Sequence, residues 1–385
     1  MNDNFLPFSR PTISQAAIDE VVACLQSGWI TTGPRVKRFE ELLQNYLKAP
    51  HVLALASATA GLHLALAALD LQPGDEVITT PMTFVASLNT IVLAGGTPVL
   101  VDVDLKTYNM DINQLAEAIT PRTRAIMPIH FAGAPVDLDP LYALAQKHNL
   151  RVIEDAAHSI GTEYKGRRIG SFGDTQVFSF HPNKNITTGE GGCVSTRDEA
   201  LAKKIALLRF HGIDREAWNR FGKTGNQHYE VIAPGFKYNM LDMQAALGLH
   251  QLPELDQFIE RRTALAKRYY QLLQHWPELT LPSGPDFPHR HAWHLYAPLL
   301  NPAAAGIDRD TFMLQLKELN IGSGLHYRAA HLYPYYQEKF GFRMGDFPNA
   351  ESIGDRIVSL PLFPLLSEAE QDRVIAAMAK VFKKV

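Results

Sequence analysis

Two side chains that can do chemistry stand at the ends of apolar, β-rich stretches of this sequence. Asp155 follows the stretch 151–154, and Lys184 lies just beyond the stretch 175–180, 29 residues after Asp155. Because ligands in open α/β sheets bind beyond the carboxyl ends of the strands, we expect both groups in one site. A carboxylate there can hold a protonated ring nitrogen, and a lysine amine can form a Schiff base and move protons.

A third pattern predicts an anion site. Residues 57–61 read Ser-Ala-Thr-Ala-Gly, follow a predicted strand and open a helix, so the backbone amides near Ala58 and Thr59 can bind a phosphate. Ser179, at the end of stretch 175–180, is expected to add a hydroxyl. A phosphate cradle, an acid and a lysine in this chain order predict pyridoxal 5′-phosphate (PLP) as cofactor, with Lys184 as the catalytic lysine. Each feature alone also has a purely structural explanation.

Two further residues are expected to contact the cofactor ring. Phe84 begins a predicted helix and offers a face for stacking, although a single phenylalanine is more often part of a core. His158 follows Asp155 by about one helical turn, so its imidazole is predicted to reach the phenolic oxygen of the ring.

These residues require an α/β scaffold, and the first two-thirds of the chain predict one. Apolar β-rich stretches alternate with helical ones, which is typical of a mostly parallel sheet covered on both faces. Strands are predicted at 51–56, 76–79, 97–101, 125–129, 151–154, 175–180 and 192–196, with helices at 60–69, 84–94 and 138–148.

The pattern changes near residue 252. A long connecting helix is predicted over 254–274, followed by a strand at 292–300 and helices at 309–319 and 368–382. We therefore predict a large α/β domain with an N-terminal arm over 1–251 and a small α+β domain over 252–385. The polar segment 214–229 is predicted to be a long loop.

Composition excludes several classes of protein. The 385 residues carry a formal net charge of -3 without a basic block, which disfavours nucleic acid as a partner. Two distant cysteines, Cys24 and Cys193, form no disulfide framework or zinc motif and favour a reducing compartment. Neither a signal peptide nor a membrane-spanning stretch is predicted, so the expected location is the cytoplasm, away from membranes.

Two other clusters have competing interpretations. His289, His291 and His294 invite a metal site, but on a strand His294 would point away from the other two, so no metal is predicted. The aromatic stretch 332–336 is typical of packing between domains and, less often, of contact with a base or sugar.

The motifs resemble those of a known family. Residues 178–192, around Lys184, resemble the lysine loop of the DegT/DnrJ/EryC1/StrS sugar aminotransferases, and 153–158 resembles their aspartate motif. The likeness extends from 28–34 to 360–364. It implies an aspartate-aminotransferase-like fold (PLP fold type I) and a homodimer with the site at the interface. It also implies amino transfer from glutamate, which becomes 2-oxoglutarate, to a nucleotide-linked ketosugar.

Within the family, four stretches resemble the enzymes that form UDP-4-amino-4-deoxy-L-arabinose for lipid A modification. They are 5–11, 234–239, 291–294 and 324–331, and the last implies His326, Tyr327 and Arg328 as substrate-binding residues. Two positions depart from the expected pattern. Lys237 replaces a usual asparagine on a loop that crosses to the partner's cofactor phosphate, and Phe84 stands where the arabinose enzymes commonly place tryptophan.

Alternatives to this function remain open. Another nucleotide-sugar aminotransferase, acting on a 4-keto-hexose for surface polysaccharide or O-antigen, fits the same motifs. A PLP-fold protein that binds the cofactor without catalysis is a further alternative. Family members that dehydrate sugars carry histidine in place of the lysine, and Lys184 argues against that branch.

Overall fold

A seven-stranded sheet forms the centre of the protein. The computed structural model describes residues 5–214 and 229–384. The strands between residues 51 and 196 are β1 (His51–Leu55), β2 (Glu76–Thr79), β3 (Thr97–Leu100), β4 (Thr123–Ile126), β5 (Arg151–Asp155), β6 (Glu163–Tyr164), β7 (Arg167–Arg168), β8 (Thr175–Ser179) and β9 (Gly192–Thr196).

The order of the strands confirms the predicted mostly parallel sheet. Across the sheet the order is β1-β9-β8-β5-β4-β2-β3, and the neighbours from β8 to β3 pair in parallel. Only β9 runs antiparallel to its two neighbours, β1 and β8. Strands β8 and β9 are buried along their whole length, as expected for a sheet with helices on both faces.

Helices cover this sheet and connect its strands. Apolar residues at helical spacing give α2, for example, a buried face made of Val36, Phe39, Leu43 and Leu47. The helices up to residue 273 are α1 (Gln15–Gln26), α2 (Pro34–Leu47), α3 (Ala58–Ala67), α4 (Ala86–Leu93), α5 (Ile112–Ala118), α6 (Leu138–Lys147), α7 (Glu199–Leu208), α8 (Asp242–Gln251) and α9 (Leu255–Leu273).

The C-terminal third forms a second core against α9. Tyr269 of α9 packs there with Phe312 and Met378, and the N-terminal residue Leu6 joins the same core. The proposed division at residue 252 stays a prediction. The elements are β10 (Leu279–Thr280), β11 (His289–Arg290), β12 (Leu299–Leu300), α10 (Pro302–Ala305), α11 (Arg309–Glu318), α12 (Pro334–Phe340), α13 (Pro348–Arg356) and α14 (Glu368–Val381).

One predicted strand is wrong. Of the stretch 292–300, only β12 is a strand. Trp293 adopts a left-handed backbone with φ 48°, and the carbonyl groups of Trp293 and His294 accept hydrogen bonds from Arg262 instead of from a neighbouring strand. The predicted helix at 84–94 begins only at Ala86. Within the predicted loop 214–229, residues 215–228 lie outside the described residues.

Two findings concern membranes and thiols. In the described ranges, no helix combines the length and the apolar character that a bilayer crossing requires. Both cysteines, Cys24 and Cys193, are buried and free.

Candidate active site

A cavity of about 660 Å³ opens at the carboxyl ends of β1, β5 and β8. Its size is in the range of small-molecule and cofactor sites. The walls come from the first turn of α3, the start of α4, the loop after β8 and the segment 325–333. The lining includes these residues predicted from the sequence: Ala58, Thr59, Phe84, Asp155, His158, Ser179, Lys184, His326, Tyr327 and Arg328.

Lys184 enters the cavity from the loop that follows β8. Its backbone amide donates to the carbonyl of His181 at 2.9 Å, and the neighbouring Asn185 side chain donates to the carbonyl of Ala292 at 2.7 Å. The first bond closes a turn within the loop, and the second holds the loop against the segment that follows β11. Burial lowers the pKa of the Lys184 amine to about 8, against the opposing charge of Asp155. The amine can therefore act as a base near neutral pH.

Asp155 is the last residue of β5 and its carboxylate is buried. Ser87 of α4 donates a hydrogen bond to Oδ2 at 2.8 Å, and the amide of Ala157 donates to Oδ1 at 3.1 Å. Burial raises the pKa of this carboxyl, and the bond from Ser87 is the largest opposing effect. A buried carboxylate with a raised pKa favours a cationic partner, as the predicted role requires.

The first turn of α3 can hold an anion. Ser57 caps the helix by accepting a hydrogen bond from the amide of Ala60 at 3.1 Å. The amides of Ala58 and Thr59 belong to the first turn, whose N–H groups have no intrahelical acceptor. A Cβ at Gly192 would lie 2.5 Å from the Ala58 nitrogen, so only glycine lets the helix start so close to β9. Ser179 also lines this cavity.

His158 has a defined tautomer. The amide of Ala132 donates to Nδ1 at 3.3 Å, so the neutral ring carries its proton on Nε2. Nε2 lies 3.1 Å from the hydroxyl oxygen of Tyr327. Burial, together with the charge of Lys184, lowers the pKa of His158 well below its usual value, which keeps the ring neutral. His158 donates to Tyr327, and the Tyr327 proton is left to face a ligand.

The segment 326–328 forms another wall of the cavity. His326 is buried, with Nδ1 2.9 Å from the hydroxyl oxygen of Ser359. Burial lowers the pKa of His326 to about 3. Arg328 is exposed at the mouth, where its guanidinium lies 5.5 Å from the ring centroid of Tyr333. The wall thus offers neutral groups inside and a cation outside.

Phe84 is a wall of the cavity and not a core residue. Its side chain is 56% exposed, and its ring centroid lies 5.8 Å from that of Tyr327. The aromatic stretch 332–336 divides between two roles. Tyr333 lines the cavity, whereas Tyr336 is buried and donates to Asn89 at 2.7 Å, which is the packing role.

Lys237 is the one predicted site residue that the structure does not bring to the cavity of its own chain. Its amine donates to Oδ1 of Asn239 at 2.6 Å and lies 4.3 Å from the ring centroid of Phe210. The residue is exposed. A role at the partner's cofactor phosphate stays a prediction.

The three clustered histidines have different surroundings. His289 lies in β11, His291 stacks on Trp293 with ring centroids 4.0 Å apart, and His294 reaches Lys184. Among residues 5–214 and 229–384, no group of His, Cys, Asp or Glu is arranged to hold a metal. The sequence indicated His294 as a possible metal ligand and as part of the stretch 291–294, but its place beside Lys184 depends on the irregular segment after β11.

The fold and the lysine–aspartate cavity together define a PLP-dependent aminotransferase, and known proteins agree. The model of the DegT/DnrJ/EryC1/StrS aminotransferase family matches residues 11–379. The chain belongs to this family. It is 47% identical over 382 residues to the spore coat polysaccharide biosynthesis protein SpsC of Bacillus subtilis, covering 99% of this chain and 98% of SpsC.

Solved structures show the same fold. The PLP form of the putative sugar aminotransferase Spr1654 from Streptococcus pneumoniae superposes with a TM-score of 0.90 at 34% identity, over 99% of each chain. Helicobacter pylori PseC, an aminotransferase involved in the biosynthesis of pseudoaminic acid, gives a TM-score of 0.91 at 30% identity over 100% of each chain. The cofactor of the present chain is PLP.

Proposed function

We propose that this protein transfers an amino group from glutamate to the keto group of a nucleotide-linked sugar, with Lys184 as the catalytic residue. The observation that carries the proposal is that Lys184 and Asp155 line one cavity beside the first turn of α3. An amine, a buried carboxylate and an anion-binding helix start are the three groups that PLP requires.

When bound, PLP supplies an electron sink that stabilises negative charge at the substrate carbon. Asp155 would hold a positive charge at the ring nitrogen, because a buried carboxyl with a raised pKa is stabilised as a carboxylate by a cationic partner. Nζ of Lys184 would move the proton at the substrate carbon. The amides of Ala58 and Thr59 would hold the phosphate, with Ser179 beside them.

The remaining walls orient the substrate. Phe84 supplies a flat face for the cofactor ring, and the Tyr327 proton is available to an oxygen of the ring or the sugar. His326 is neutral and makes the inner wall polar without charge. Arg328, exposed at the mouth, is suited to the diphosphate of a nucleotide sugar, because a guanidinium can bind two phosphate oxygens at once.

For the sugar we favour a UDP-linked 4-keto-hexose used in surface polysaccharide. SpsC is named for spore coat polysaccharide biosynthesis, and PseC for the biosynthesis of pseudoaminic acid. These relatives support a surface polysaccharide better than the arabinose of lipid A, which the stretches 5–11 and 324–331 suggested. Phe84 in place of the tryptophan that the arabinose enzymes commonly carry agrees with this preference.

A panel of ketosugars tests the substrate. UDP-, GDP- and dTDP-linked 4-keto-hexoses and UDP-4-keto-pentose are each assayed with glutamate, and 2-oxoglutarate is measured. We expect the UDP-4-keto-hexose to give the highest kcat/KM. A higher value for the pentose would return the function to the arabinose subgroup. A chain that releases no 2-oxoglutarate with any amino acceptor would instead fit the non-catalytic alternative.

Lys184→Ala tests the catalytic residue itself. We expect turnover to fall by about 10⁴-fold, because the base and the covalent anchor are removed together. After borohydride reduction, mass spectrometry should find the cofactor on the peptide of the unmodified enzyme and not on that of the variant. Lys203→Ala removes an exposed amine paired with Glu199 and serves as the control. Transamination retained in Lys184→Ala would refute the assignment.

We propose further that two copies of the chain assemble with Lys237 near the partner's cofactor phosphate. Lys237 is exposed and lies outside the cavity of its own chain. Lys237→Ala should weaken PLP binding about tenfold, while Phe210→Leu, which removes the ring beside the amine and keeps the amine itself, should not. Unchanged PLP affinity in Lys237→Ala would count against the contact.

A reducing, cytoplasmic location is proposed because both cysteines are free.

A further inference from the structure

His294 is the side chain that reaches the amine of Lys184. Its Nε2 lies 3.5 Å from Lys184 Nζ, at the long end of hydrogen-bond distances. Such bonds are often long in unliganded sites and shorten when the ligand binds. His294 is 2% exposed, and its ring centroid lies 4.3 Å from that of His158. It is therefore a buried imidazole between two residues of the predicted cofactor site.

A buried arginine fixes the backbone that carries this imidazole. Arg262 of α9 donates to the carbonyl oxygens of Trp293, His294 and Leu362, at 3.2, 3.3 and 3.0 Å. Its side chain is 2% exposed. All three bonds come from Nη1, whereas Nε is buried without a partner among the described residues, so the three carbonyl groups are what the buried guanidinium holds in place. The position of His294 is thus defined from outside the cavity.

The surroundings keep the imidazole neutral. The charged and titratable groups that face it come from separate elements: Lys184 after β8, His158 after β5, Arg262 of α9 and His326 after β12. All four carry or can carry positive charge. Burial and the charge of Lys184 lower the pKa of His294 well below its usual value. The neutral ring can accept a hydrogen bond from Lys184 Nζ at Nε2 when its own proton is on Nδ1, which is buried without a partner among the described residues.

We propose that His294 is a positioning residue for Lys184, whose neutral Nε2 accepts a hydrogen bond from Nζ and holds the amine facing the cofactor. The proposal rests on Lys184 as the cofactor-binding lysine. A lysine side chain has many rotamers, and fixing the amine removes the entropy cost of finding the reactive geometry. His294 exchanges no proton in this role. The acceptor stabilises Nζ whenever it is protonated, whether as a free amine or bound to the cofactor.

The test follows the protonation of Nζ in the cofactor-loaded enzyme by spectroscopy. The absorbance of the lysine-bound cofactor is titrated against pH in the unmodified enzyme and in three variants. His294→Phe removes the acceptor, so the apparent pKa of the lysine-bound cofactor should fall by about one pH unit. His294→Gln keeps an acceptor, so its apparent pKa should lie close to that of the unmodified enzyme. His291→Phe changes the same segment at a ring that stacks on Trp293, and it should leave the titration unchanged.

Two results would overturn the proposal. One is a His294→Phe titration that coincides with that of the unmodified enzyme. The other is an equal fall in His291→Phe, which would reflect general packing of the segment. If His294→Phe does not fold, His294→Asn, which is too short to reach Nζ, replaces it with the same expectation. If Lys184 is not the cofactor-binding lysine, a different result shows it, because cofactor would then still be bound covalently in Lys184→Ala.

Discussion

Adjacent carboxylates on β5 have opposite surroundings. Glu154 faces the packed side of the sheet, where its oxygens lie 2.7 Å from His130 Nε2, 2.6 Å from the Tyr142 hydroxyl and 2.7 Å from Gln176 Nε2. Asp155 faces the cavity and receives hydrogen bonds from Ser87 and one backbone amide. Successive side chains on a strand point to opposite faces, so a single strand supplies both environments.

The difference teaches how a structural acid differs from a functional one. Glu154 is 1% exposed, and three side-chain donors occupy its oxygens. The amide of Val136 donates to Nδ1 of His130, so the proton of the neutral His130 ring is on Nε2 and points to Glu154. Asp155 has fewer donors and faces open space, so it retains the capacity to bind a cation.

The largest effect on activity is expected from Asp155→Asn. The amide keeps the size of the side chain but cannot hold a positive charge at the ring nitrogen, so kcat should fall by about 10³-fold or more. The melting temperature of the cofactor-free protein should change little, because only the side chain facing the cavity is altered. Steady-state kinetics and thermal unfolding measure the two quantities. A variant with kcat within tenfold of the original would remove Asp155 from the chemistry.

Glu154→Gln should show the reverse pattern. The NH₂ of the new amide cannot accept hydrogen bonds from the donors that surround it. The free energy of unfolding should therefore fall by about 3 kcal/mol, while kcat per folded molecule stays within a few-fold. Tyr142→Phe removes one of the three donors and also the acceptor of the Asp174 amide, and it should cost about 2 kcal/mol. Chemical denaturation checks both. A loss of kcat as large as that in Asp155→Asn would show that the two faces are not functionally distinct.

The smallest effect is expected from Ser87→Ala. The bond from Ser87 opposes the rise that burial causes in the pKa of Asp155, so its removal should raise that pKa further. The carboxylate is lost as the pH is lowered through this pKa, and PLP affinity falls with it. In Ser87→Ala, this fall should begin at a pH about one unit higher than in the unmodified enzyme. Thr83→Ala removes a hydroxyl that contacts Ser87 and leaves Asp155 untouched, which makes it the control. If Ser87→Ala and Thr83→Ala gave the same pH profile, the proposed effect of Ser87 on the pKa of Asp155 would be contradicted.

Much of the scaffold was predictable from local patterns. Continuous apolar stretches predicted the strands of the sheet, and the rule that ligands bind beyond the carboxyl ends of strands placed Asp155 and Lys184 at one cavity. The small residues of 57–61 predicted the start of α3 because they leave its amides accessible. The strands and the helix start were predictable because they depend on neighbours in sequence, and the shared cavity because it follows from a general rule for parallel sheets.

Other features depend on contacts between distant segments and were not predictable in this way. The stretch 292–300 has the composition of a strand, but hydrogen bonds from Arg262 hold its backbone in another conformation. The approach of His294 to Lys184 results from that conformation. Likewise, Glu154 and Asp155 are equivalent in sequence until the sheet shows which face borders the cavity.

Because Glu154 and Asp155 face opposite sides of the sheet, the register of β5 determines which acid lines the cavity. Glu154 and Asp155 pair with Gln176 and Val177 of β8. If β5 slipped by one residue against β8, each side chain would change face: the aspartate would enter the packed network and its place at the cavity would be lost. A single-residue insertion or deletion just before β5 therefore threatens this enzyme in either direction: one slip puts Ala156 at the cavity in place of the acid, and the opposite slip puts Ile153 beside the three donors of the network.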